Sequence, residues 1–109
     1  MPTVLPVLPV PRLDLPAPDV ASASAVAALL ADPVRAGILR MLADGTHCVC
    51  EMASALGVRE NALSNHLAKL REAGLVRASR HEANGRFLYY ERDEAAIARA
   101  RASICDVLR

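Results

Sequence analysis

Residues Thr46 to Leu75 read THCVCEMASALGVRENALSNHLAKLREAGL, and this stretch decides the fold. Met52, Ala53 and Leu56 form an apolar i, i+1, i+4 set that ends at Gly57, the residue type that fits the left-handed position just past a helix end. Leu63, Leu67 and Leu70 recur at i, i+4, i+7 and end at Gly74. The pattern predicts two short helices joined by a tight turn. At about 100° per residue, the side of the second helix turned away from its leucines holds Asn61, Ser64, Asn65, Ala68 and Lys69. Such a face can offer hydrogen-bonding groups to base edges in a major groove; the same residues also suit a plain solvated face. Cys48 and Cys50 flank Val49 at the start of the first helix, so a pair of thiols is attached to the front of this unit.

Upstream, residues 1 to 19 contain six of the seven prolines, which predicts an extended proline-rich arm, with a disordered tail as the alternative. Its Val4, Leu5, Val7, Leu8 and Val10 are apolar enough to lie along a groove. Residues 20 to 109 are read as one domain. From about Val20, an alanine-rich helix carries Val26, Leu29 and Leu30 as its stripe. Asp32-Pro33 is a helix-start signal, aspartate as cap and proline at the first helical position. The helix it opens is expected to bury Val34, Ile38, Met41 and Leu42 and to end at Gly45. Downstream, Val76 to His81 and Arg86 to Glu91 are short extended runs around Asn84-Gly85, a β-hairpin with Arg77, Arg80, His81 and Arg86 near its arms and tip. Asp93 to Leu108 returns to helix with Ile97, Ile104 and Leu108 as a stripe that closes the core or pairs with a second copy.

Composition narrows the class. At 109 residues with 53% apolar and only 3% aromatic residues, the chain suits closely packed helices, and its small size makes help from a second copy plausible. No apolar run approaches the roughly 20 residues of a membrane span. Prolines interrupt the N-terminal apolar stretch and no basic leader precedes it, so a cytoplasmic protein is expected. Three cysteines do not make a disulfide framework. Net charge is only +1, but its distribution is uneven: residues 1 to 58 sum to −2, residues 59 to 92 to +3 and the remainder to zero. The positive excess lies where a phosphate backbone would meet the second helix and hairpin.

The order of elements is that of a mainly α protein with a small β-hairpin, a winged helix-turn-helix. With that order in place, LADPVRAGILRML (Leu30 to Leu42), CVCEMASALGV (Cys48 to Val58), ALSNHLAKLREAGLV (Ala62 to Val76) and GRFLYY (Gly85 to Tyr90) resemble the ArsR/SmtB family of metal-responsive repressors. The resemblance implies a homodimer with the first and last helices at its interface, bound to double-stranded operator DNA and released by a ligand. By position it places Asn61, Ser64, Asn65 and His66 against bases or phosphates and Arg86 at the wing. His66 can equally pack on the flank of the leucine stripe. Lys69 adds a cation to the same face, and Arg59 stands where relatives often have a small polar cap, which suits a phosphate contact.

The Cys48-Val49-Cys50 pair matches the motif by which family members bind thiophilic ions. Soft thiolates select soft ions, and a helix N-terminus is expected to favour the thiolate. In a regular helix, i and i+2 point about 200° apart, so chelation is expected to distort the first turn and so shift the second helix. The family's arsenic motif resembles CVCxxC, and Ala53 stands at its third position. As(III) or Sb(III) is then held by two thiolates and a solvent oxygen, or by Cys105 as third ligand, unless Cys105 is a small buried core residue. Cadmium and lead sensors of the family recruit cysteines from an N-terminal arm, which here has none, and zinc sensors use Asp and His on the last helix, which here has no histidine. His47 is a possible nitrogen ligand for zinc or cadmium or an exposed loop residue. As(III) or Sb(III) is the first expectation as inducer, cadmium or lead the next. No catalytic cofactor is implied. Rival readings are a thiol-redox or persulfide sensor linking Cys105 to Cys48 or Cys50, and a constitutive DNA-binding protein with inert thiols. An enzyme is not expected, since a thiol oxidoreductase motif usually follows a βαβ pattern that this chain lacks.

Overall fold

The computed structural model describes residues 17–80 and 88–109. In chain order the elements are α1 (Ala17–Leu30), α2 (Pro33–Leu42), β1 (His47–Cys48), α3 (Val49–Leu56), α4 (Glu60–Glu72), β2 (Val76–Arg80), β3 (Leu88–Arg92) and α5 (Glu94–Val107). Helix α1 begins at Ala17, ahead of the expected start near Val20. Pro18 falls in its first turn, where a missing N–H removes no helical hydrogen bond.

Local signals set the helix ends. Asp32 Oδ1 accepts the Val34 amide at 2.8 Å and the Arg35 amide at 3.3 Å, which starts α2 at Pro33. Gly57 ends α3 with φ +66°, a conformation open to glycine and costly for other residues. Asp93 caps α5 by accepting the Ala96 amide at 3.0 Å, while its own amide donates to Leu75 O at 2.9 Å, tying the end of the sheet to the chain after α4.

The core lies where α2, α3 and α4 meet beneath the sheet. Leu63, Leu67 and Leu70 are all fully buried, as are Ile38 and Met52. Each such side chain contributes roughly 1.5–3 kcal/mol of transfer free energy. On α2 the buried set is Ile38, Leu39 and Leu42; Val34 and Met41, expected inside, are only partly buried at the margin. On α1 the expected stripe also shifts: Ala23 is the buried residue, Val26 and Leu29 are half-buried, and Leu30 is exposed. Helices α1 and α5 pack along each other.

The extended part is larger than the expected hairpin. Strands β2 and β3 pair antiparallel from Val76↔Arg92 to Arg80↔Leu88, and β1 adds a third strand on the other edge of β3, giving the order β1-β3-β2. Its register is His47↔Tyr90 and Cys48↔Tyr89. Asn84-Gly85, His81 and Arg86 lie outside the described residues. Helix-turn-helix plus antiparallel wing makes the molecule a winged helix-turn-helix.

Candidate functional site

The strand β1 ends at Cys48, and this is what builds the site. Cys48 is the N-cap of α3, with extended backbone (φ −87°, ψ 164°), and Cys50 stands in the first turn of that helix. The two residues are therefore not both helical, and the argument that their side chains diverge by about 200° does not apply. Their Sγ atoms lie 2.6 Å apart. The side chains therefore converge from the junction of β1 and α3, with Cys48 extended and Cys50 helical. Cys48 is buried and Cys50 exposed, so the pair opens to the surface on one side.

Glu51 organises the surroundings. Its Oε1 accepts the Cys48 amide at 3.3 Å and its Oε2 faces His47 Nδ1 at 3.2 Å. Cys48 takes the place of the usual serine or threonine in a capping box, with Glu51 as the reciprocal partner three residues on. Hydrogen bonds from the Cys48 thiol, then from His47 and the Cys48 amide, hold the Glu51 carboxyl below its usual range. Burial, and next the contact with Cys50, push the Cys48 thiol up to about 11 from its ordinary 9.0. The expectation that the helix start favours the thiolate is corrected at Cys48: the Glu51 amide does pull the other way, but burial outweighs it. His47 is a half-buried strand residue engaged with Glu51, not a free loop histidine.

Cys105 is exposed on α5, which sets aside the alternative of a small buried core residue. Among the described residues no three His, Cys, Asp or Glu side chains gather as a metal-binding group, so Cys105 is not brought to Cys48 and Cys50 within the protomer.

The second surface is α4. Asn61, Ser64, Asn65, Ala68 and Lys69 are all exposed, opposite the buried leucines. Arg59 is the N-cap of α4 and makes no side-chain capping bond; the Ala62 amide donates instead to Asn61 Oδ1 at 2.8 Å. His66 departs from this group: its ring turns back toward α2, with Nδ1 at 3.4 Å from Arg35 Nη1 and Nε2 at 4.0 Å from Asp32 Oδ1. The cations divide in the same way. Arg77 pairs with Glu91 and Asp93, each at 3.3 Å, and Arg92 pairs with Glu94 at 2.8 Å and donates to Leu39 O at 3.1 Å. Among the described residues Arg59, Lys69 and Arg71 form no ion pair. Sequence reasoning missed Glu51 and Arg35. The Cys-x-x-Glu spacing of a capping box could have found the first; nothing local points to the second.

These features define a winged helix-turn-helix protein with a dithiol at the front of the first helix of its helix-turn-helix. The model described as "Bacterial regulatory protein, arsR family" matches residues 32–78, which span the end of the α1–α2 turn through β2. Over residues 32–78 the chain carries the arsR-family regulatory domain. It is 42% identical over 62 residues to the arsenic resistance transcriptional regulator ArsR1 of Pseudomonas putida, a match covering 56% of this chain and 46% of that protein. The chain thus spans about half the length of that curated relative. Among solved structures, a possible transcriptional regulator for arsenical resistance superposes with a TM-score of 0.66 at 28% identity, covering 84% of each chain. Reduced HlyU from Vibrio cholerae superposes with a TM-score of 0.68 at 30% identity, covering 80% of this chain and 90% of that one. Among the described residues no helix is long and apolar enough to cross a membrane.

Proposed function

We propose that this protein is a cytoplasmic, homodimeric transcriptional repressor that leaves its operator when As(III) or Sb(III) binds Cys48 and Cys50. The observation that carries the reading is the convergence of two sulfurs, 2.6 Å apart, at the strand-to-helix junction that opens the helix-turn-helix. The names of the Pseudomonas relative and of the arsenical-resistance neighbour support arsenic as the signal. Arsenous acid suits protonated thiols: each As–OH exchanged for As–S releases one water, which carries away the thiol proton, so two exchanges leave one oxygen on arsenic and no net proton in solution. Cadmium or lead, the second choice of ion, must instead displace both thiol protons into solvent.

DNA is read by α4. Asn61, Ser64, Asn65 and Lys69 face outward for base and phosphate contacts, and Arg59 stands at the amino end of the helix for a phosphate; Arg86, outside the described residues, is assigned a DNA contact from its place in the sequence. The signal passes through β1, since Cys48 is paired with Tyr89 on β3 and any shift at the thiols loads the strand that carries the wing. The proline-rich arm expected ahead of α1 lies outside the described residues.

The test is fluorescence anisotropy of the reduced protein on DNA from its own promoter, at fixed salt because phosphate-dominated affinity falls steeply with it. Arsenite is expected to release the DNA near one equivalent per dithiol, and the response is expected to vanish in Cys48→Ser and Cys50→Ser. In Cys105→Ser, a retained response assigns the third position to solvent and a lost one to Cys105 of the other subunit. Release by an oxidant or a persulfide at lower dose than by arsenite would replace the ion with a redox signal.

A further inference from the structure

Helix α1 and helix α4 are separated by an open groove of about 470 Å³, whose walls include Ala28 and Leu29 on one side and Lys69 and Glu72 on the other. One side chain crosses it. Arg35, from the first turn of α2, donates through Nε to Leu29 O at 2.7 Å and through Nη2 to Ala28 O at 3.1 Å, two carbonyls at the end of α1 that have no partner within the helix. Its remaining nitrogen, Nη1, lies 3.4 Å from His66 Nδ1 on α4. A guanidinium only donates, so this contact puts His66 Nδ1 in the acceptor role, while Nε2 faces Asp32 Oδ1 at 4.0 Å. Asp32 is itself held in place by the two amides it caps. All three nitrogens of a rigid, planar fork are thus committed, two to α1 and one to α4.

The leucines of α4 hold it in the core, but apolar packing is non-directional and tolerates small slides. The guanidinium contact is directional and spans the groove between the two helices. We infer that Arg35 and His66 are positioning residues that set the offset of α4 from α1, and thereby fix the half-site spacing of the DNA that the dimer accepts. The inference rests on the reading of α4 as the DNA-reading helix and of α1 as part of the dimer interface. In a symmetric dimer, an error in that offset enters twice, and one base pair displaces a half-site by only about 3.4 Å. A strut that holds α4 to a fraction of that distance converts dimer geometry into spacing selectivity.

The experiment measures anisotropy affinities, at one salt concentration, for the promoter's inverted repeat and for two versions with one base pair removed or inserted between the half-sites. Wild type is expected to favour its own spacing by about tenfold, the scale of one mismatched base pair. His66→Asn keeps an acceptor near the Nδ1 position and is expected to retain that preference. Arg35→Met and His66→Leu are expected to reduce it to about threefold or less, again on the mismatch scale. His66→Leu leaves both α1 carbonyls bonded, so it serves if Arg35→Met fails to fold. Equal weakening on all three DNAs, as a direct phosphate contact by His66 would give, overturns the inference, and so does an unchanged preference in His66→Leu. If wild type binds none of the three, the DNA-binding reading itself fails and takes this inference with it.

Discussion

Cys48 is where a single side chain does most to set chemical behaviour. It is 6% exposed, at the junction of β1 and α3, and burial together with Cys50 keeps its thiol protonated up to about pH 11 instead of 9.0. The consequence for stability has a definite sign. Below pH 9.0 the thiol is protonated in the folded and the unfolded chain alike, so the stabilisation of the neutral form is fully present. Between 9.0 and about 11 the unfolded chain loses this proton while the folded chain keeps it, and each step in pH then favours unfolding. In the ion-free protein, urea midpoints are expected to fall more steeply over that interval in wild type than in Cys48→Ser, which keeps a capping oxygen but does not ionise there. Parallel curves for the two proteins would show that Cys48 ionises as freely folded as unfolded.

At the scale of elements, α4 was fully legible: three leucines on one stripe predicted three fully buried side chains, and the residues opposite are exposed. The Asp32-Pro33 start and the Gly57 stop were equally legible, because caps act on their own few residues. Strand β1 was not. Two residues are too short to show a period, and they become a strand only by pairing with Tyr89 and Tyr90, some forty positions away. The convergence of the thiols was hidden for the same reason, since it depends on Cys48 leaving the helix to join that strand. The Arg35–His66 contact spans 31 residues and had no local signature either. Gly37 is a further feature of this kind. It sits inside α2, where glycine costs about 1 kcal/mol relative to alanine, and a Cβ there would lie 2.7 Å from Leu56 Cδ2 on α3. The end of the Leu56 side chain can swing away from a single methyl, so Gly37→Ala is expected to be close to neutral as propensity offsets crowding. Gly37→Leu cannot be accommodated that way. It is expected to cost about 1–3 kcal/mol by overpacking and, by displacing the helix that carries Cys50, to weaken arsenite binding, both readable by urea titration and by ligand titration of the same variant.

At the scale of the whole molecule, apolar surface is left over on the α1–α5 side. Val20 is 38%, Val107 50% and Leu108 78% exposed, and all three border one groove of about 220 Å³ whose lining is almost wholly apolar. A small domain that leaves such residues in water gains by covering them, and in the proposed dimer a second copy would do so with the same patch on both sides of a two-fold axis. That symmetry gives the prediction its force: a glutamate introduced at Val107 or Leu108 appears twice at the interface, so the two copies bring like charges together in a place with little water. Val107→Glu and Leu108→Glu, combined, are expected to sediment as monomers at concentrations where wild type is a dimer, while far-ultraviolet circular dichroism stays unchanged because neither side chain belongs to the core of the protomer. Affinity for the full operator is expected to fall toward that for a single half-site, since the second α4 no longer benefits from the effective concentration that linkage supplies. Affinity for an isolated half-site is expected to stay as it was. A variant that remains dimeric and keeps full operator affinity would place the interface elsewhere on the molecule, and the offset between α1 and α4 would then have no bearing on which DNA is bound.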